Sequence, residues 1–116
     1  MSSVATLFET PTTPALFALW SSVHVAHHRD INRVIYQVYK LALPEYMLDP
    51  LNPLDETALN NWLYVHQAMH QNQDQVLGIA GYDLSDVDWT DRESLAFWTQ
   101  QHANEHYQAA NILGIG

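Results

Sequence analysis

The chain has 116 residues, 47% of them hydrophobic and 15% charged, which is the size and composition of one small globular domain and not of a disordered segment. Four Lys and Arg stand against 13 Asp and Glu, a net charge of -9 with neutral histidines, and this disfavours nucleic-acid backbones and anionic membrane surfaces as partners. There is no cysteine, so disulfides, thiolate metal sites and cysteine nucleophiles are excluded.

In chain order, residues 1–13 (MSSVATLFETPTT) carry no basic leader and no long apolar run, and are expected to form an extended arm. The longest uninterrupted apolar stretch, ALFALW, falls far below the roughly 18 residues of a membrane span. Thr13 followed by Pro14 reads as an N-cap with proline in the first helical position. From there Leu16, Trp20, Val23, Ile31, Val34, Val38 and Leu41 keep helical spacing, with His27 filling the one gap, and predict a first helix over 14–43 that ends before Pro44. Prolines 44, 50 and 53 mark a Pro-rich connection that travels. A second helix is predicted over 53–77, through Leu59, Trp62, Val65, His66, Met69 and Val76, stopping at Gly78. An acidic loop follows. Thr90 with Glu93 reads as a capping box that opens a third helix over 91–113. The prediction is an all-α fold, a three-helix up-down-up bundle forming a single domain over 1–116.

A repeat runs through these helices. WSSVHVAHH, WLYVHQAMH and WTQQHANEH each place a Trp and two histidines at four-residue steps: Trp20, His24, His28; Trp62, His66, His70; Trp98, His102, His106. Residues 59–80 align without a gap to 95–116, and the identities extend to Leu59/Leu95, Leu77/Leu113, Gly78/Gly114 and Ile79/Ile115. Helices 2 and 3 are therefore expected to derive from one duplicated unit, which the first helix joins through its Trp-His-His core. Steps of four stack the three side chains on one helix face. In an up-down-up bundle His24, His66 and His102 would share a layer, with His28 and His106 towards one end and His70 towards the other.

Two readings follow. Paired HxxxH histidines on facing helices suit Zn²⁺ or another divalent ion. Metal-bound imidazoles normally have second-shell partners, however, and only Glu105 stands close to the stripes, with Asp30 and Asp74 more distant. The alternative makes Trp20, Trp62 and Trp98 structural residues, each indole N–H finding an imidazole acceptor in a polar network that fixes helix register. That second reading requires no additional ligand and is preferred, so no cofactor is expected. Several buried imidazoles could also act as a pH switch.

Other motifs fail. HANEH fits the H-x-x-E-H pattern, but the chain ends before the further ligand that such proteases need. Asp86 and Asp88 have calcium-loop spacing, yet Asp91 and Phe97 stand where the glycine and the bidentate Glu belong. The second helix offers no Glu ladder for a di-iron carboxylate site. No nucleophile elbow or glycine-rich phosphate loop occurs, and no catalytic residue is assigned.

The segment 66–116, with a histidine-bearing helix, the loop GYDLSDVDWTD and the closing NEHYQAANILGI, resembles small proteins encoded by tailed bacteriophages. The resemblance implies a non-enzymatic virion or morphogenesis component (head, connector or tail) that assembles with copies of itself or other virion proteins. It would reside in the host cytoplasm during assembly and then in the virion. The alternative is a metal-binding helical bundle that uses the paired histidines.

Overall fold

The structure, a computed structural model, describes residues 4–44 and 56–115. A 3₁₀ helix Val4–Phe8 is followed by three α-helices, α1 Pro14–Tyr39, α2 Glu56–Leu77 and α3 Arg92–Leu113. The described residues contain no strand, so the fold is all-α. The expected extended arm is instead partly helical: its Leu7 is fully buried, and the carbonyl of Phe8 accepts the Gln100 Nε2 donor at 2.8 Å.

Helix ends follow local chemistry. Thr13 caps α1, its Oγ1 accepting the Leu16 N–H at 3.2 Å. The helix closes at Lys40 in the left-handed region (φ 59) and not at 43, with the Lys40 N–H donating to the Tyr36 carbonyl. The first residues of the predicted second helix, 53–55, and most of the Pro-rich connection lie outside the described residues. α2 ends at Gly78, whose φ of 71 suits glycine, and the Ile79 N–H reaches back to the Asp74 carbonyl at 2.9 Å. Asp91, not Thr90, caps α3: its Oδ1 accepts the Glu93 N–H at 3.0 Å. Thr90 instead belongs to a turn that its N–H and hydroxyl make on Asp88.

The three helices point the same way, which corrects the up-down-up expectation. Trp98 lies 6.0 Å, centroid to centroid, from both Trp20 and Trp62. One step along every helix, His24, His66 and His102 are 4.7 to 4.9 Å apart. One step further, His28, His70 and His106 are 4.4 to 4.9 Å apart. A reversed α2 would put Trp62 and His70 on the opposite levels.

Parallel neighbours need a returning connection, and residues 78–91 supply one. About 14 extended residues reach roughly 45 Å, more than the roughly 33 Å of a 22-residue helix. The segment climbs the groove between α2 and α3. The Tyr82 N–H donates to Glu105 Oε2 at 3.1 Å, the Leu84 N–H to Gln67 Oε1 at 2.9 Å, and the Leu84 carbonyl accepts the Trp98 indole N–H at 2.9 Å. The N-terminal segment plays the same part between α1 and α3, where the Leu7 carbonyl accepts the Trp20 indole at 3.4 Å.

Two apolar clusters cap the bundle. One gathers Leu7, Trp20, Trp62, Leu63, Leu84 and Trp98 near the helix N-termini, and the other Ile31, Ile35, Leu77, Ile79 and Ala109 near the C-termini. Between them lies a buried layer of histidines.

Candidate metal centre

Each helix brings its two histidines to the axis because i and i+4 side chains stand one above the other on one face. Parallel helices then stack six rings as two triangles. In the triangle nearer the N-termini, His24, His66 and His102 are 0 to 1% exposed. Their Nε2 atoms lie 3.1, 3.1 and 3.0 Å from one another. The second triangle joins it through His28 Nε2, 2.8 Å from that of His24, and His106 Nε2, 3.1 Å from that of His102. His70 completes the second triangle. His24, His28, His70, His102 and His106 each have a ring nitrogen within 4.8 Å of all the others.

Hydrogen bonding cannot satisfy this arrangement. An imidazole nitrogen offers one in-plane site, either N–H or lone pair. The five Nε2 atoms of His24, His28, His66, His102 and His106 share five contacts of 2.8 to 3.1 Å, with His24 and His102 each in three of them. Five single-site atoms form at most two N–H···N bonds. The other contacts set like against like unless one acceptor of all the lone pairs lies between the rings, and a cation is such an acceptor.

Two of the outward nitrogens of the second triangle are in hydrogen-bond contact, and the third faces a carboxylate at longer range. His28 Nδ1 donates to Gln73 Oε1 at 3.0 Å, and Gln73 Nε2 in turn donates to Asn32 Oδ1 at 2.7 Å. His70 Nδ1 faces Glu105 Oε1 at 3.4 Å, and His106 Nδ1 lies 2.7 Å from His27 Nδ1. A proton on Nδ1 leaves Nε2 bare towards the axis, the tautomer a metal requires. His70 Nε2 is buried with no hydrogen-bond partner among the described residues. The first triangle is pinned by stacking instead. Trp20, Trp62 and Trp98 lie over His24, His66 and His102 at centroid distances of 4.7, 4.3 and 4.8 Å and interplanar angles of 24°, 13° and 6°. The Nδ1 atoms of His66 and His102 have no hydrogen-bond partner among the described residues.

Burial drives His24, His28, His66, His102 and His106 well below the ordinary imidazole range, and neighbouring imidazoles push the same way. These rings are therefore neutral at pH 7, as metal ligands must be. Behind His70, burial and a hydrogen bond to Glu105 raise the Asp74 carboxyl to about 9. Burial also works to raise Glu105, but its hydrogen bonds to His70 and Asp74 outweigh that, and its carboxyl is held below the usual value. The pair is a protonated Asp74 against an ionised Glu105, which places one negative charge beside His70. Gly81 packs so closely that a Cβ there would run into the Asp74 carboxylate.

All six histidines singled out by the repeat meet, and His28, His70 and His106 share one level. The indoles of Trp20 and Trp98 donate to the backbone carbonyls of Leu7 and Leu84 and not to imidazoles, contrary to the network the spacing suggests. His27, Gln73 and Asn32 join Glu105 and Asp74 around the rings, and the repeat itself does not mark them. The available signal was spacing: Asn32 stands four residues beyond His28, and Gln73 three beyond His70. Comparison with protein-family models, with curated proteins and with solved structures gives no match to this chain.

Proposed function

We propose that this protein is a metal-binding helical bundle that holds one divalent transition-metal ion on its axis through the paired histidines of α1, α2 and α3. The observation that carries the reading is the five-fold contact of Nε2 atoms at 2.8 to 3.1 Å, more than their protons can satisfy. The supporting shell on the second triangle points the same way, since outer hydrogen bonds orient ligating rings. The test is elemental analysis of protein purified without a histidine tag or chelating resin, followed by thermal melts with and without EDTA. The expected result is one metal per chain and a melting temperature roughly 10 °C or more lower after chelation. Protein that holds no metal and melts identically with EDTA would overturn the proposal.

A role as a phage-particle subunit is compatible with this centre, because a core held by a metal leaves the outer surface free to assemble. The exposure of Tyr64 (80%) and Phe97 (65%) favours it. Light scattering on the metal-loaded chain tests it, alone and mixed with particle proteins. A monomer that joins nothing would sink it.

A further inference from the structure

Resting on that reading, we infer that the bound ion is six-coordinate, ligated by all six imidazoles and by nothing else. The centre therefore takes a divalent first-row ion that accepts an octahedron of nitrogens, Ni²⁺, Co²⁺ or Fe²⁺ in preference to Zn²⁺. It offers no open position to a substrate.

Edge lengths carry the argument. Nitrogens about 2.1 Å from a common ion are separated by about 3.0 Å at the corners of an octahedron and about 3.4 Å at those of a tetrahedron. The triangle His24, His66, His102 has edges of 3.1, 3.1 and 3.0 Å, and its links to the second triangle are 3.1 Å from His102 to His106 and 2.8 Å from His24 to His28. Four of these five lengths match octahedral edges; His70 Nε2 makes no such contact among the described residues, and its turn onto the ion completes the second face. Two stacked triangles are the two opposite faces of an octahedron, which is the arrangement that three parallel helices carrying HxxxH produce. Zn²⁺ in proteins is almost always four-coordinate with nitrogen and sulfur ligands, and Cu²⁺ prefers a tetragonal site.

The surroundings close the sphere. The six rings are at most 3% exposed. Three indoles cover the first triangle, and Ile31, Ile35, Leu77 and Ala109 gather beyond the second. A catalytic ion keeps a position for water or substrate, and this centre has six donors for six positions. Its donors are imidazoles, which ligate a metal as neutral groups, and the carboxylate that faces them is Glu105, against His70. A buried site with so little negative charge favours the divalent over the trivalent state.

The wild-type full chain is stripped of metal and loaded with Co²⁺ or Ni²⁺. X-ray absorption then counts donors, the Co²⁺ spectrum reports geometry, and azide probes for an open position. The expected results are about six nitrogens, the weak visible bands of six-coordinate Co²⁺, no change with azide, and half-displacement of Ni²⁺ only by about tenfold or greater excess of Zn²⁺. Four nitrogens, intense tetrahedral bands or an azide-induced spectrum would overturn this inference while leaving metal binding intact. Failure to retain any of the three ions would overturn the metal reading itself.

Discussion

A histidine becomes a ligand when something outside it decides which nitrogen carries the proton. On His28 that decision belongs to Gln73, whose Oε1 accepts from Nδ1 at 3.0 Å and whose amide is steadied by Asn32 at 2.7 Å. Replacing Gln73 with Leu keeps the volume and removes the acceptor, freeing His28 to place its proton on the axial nitrogen. Supporting residues of this kind typically contribute 10–100-fold to metal affinity. Gln73→Leu is accordingly expected to weaken Ni²⁺ or Co²⁺ binding by about that factor with little loss of helicity, as measured by competition against a chelator and by circular dichroism; unchanged affinity would show that Gln73 is only packing. At this scale the ligands were legible and their support was not. Trp-His-His at steps of four is a pattern that only a shared helix face explains. Gln73, in contrast, stands among Gln71 and Gln75 and differs from them only by facing inward. The indole partners were illegible for a related reason: backbone carbonyls of a folded-back segment leave no mark in the residue pattern.

Helix direction is carried by the order of the motif along each element. Neighbouring helices in small bundles usually alternate because short loops join them. Here the connections are long, and the Trp-to-His-to-His order is the same in all three helices. Level pairing of like with like then requires parallel helices. The offset of 36 continues upstream in the sequence, as Tyr46/Tyr82, Leu48/Leu84 and Asp55/Asp91. Within the 78–91 segment the anchor is Leu84, which is fully buried while its N–H and carbonyl tie to Gln67 and Trp98. Leu84→Ala empties a closed site and should cost about 2–5 kcal/mol, read from urea unfolding of the metal-free chain. A loss under about 1 kcal/mol would mean that the segment rests on its backbone bonds and not on its side chain.

At the scale of the whole molecule, a polar axis between two apolar clusters makes the metal-free protein sensitive to acid. The sign follows from the shifts. His24, His28, His66, His102 and His106 are held well below the usual value by burial, with imidazole neighbours adding to it. The unfolded chain takes up protons near pH 6.5, while the native one refuses them until the pH is much lower. Unfolding therefore binds protons throughout that window, and stability falls as pH falls below about 6.5. Each such ring contributes up to about 1.4 kcal/mol per pH unit, and five together could consume a typical 5–15 kcal/mol of stability within roughly two units. Asp74 acts in the opposite sense, because its raised carboxyl keeps a proton that the unfolded chain has released at any pH between its usual 3.8 and about 9, but it is one proton against five. Metal-free protein should thus be most stable near neutrality and unfold between about pH 6.5 and 5. Filling the axis makes protons compete with the ion for the same nitrogens, so the metal-loaded form should hold to a lower pH. Denaturation midpoints of both forms between pH 5 and 8 test this directly. A metal-free midpoint that stays level from pH 7 to 5 would mean that the rings already share or carry protons in the folded state, and the contest for the axis would be over before any metal arrived.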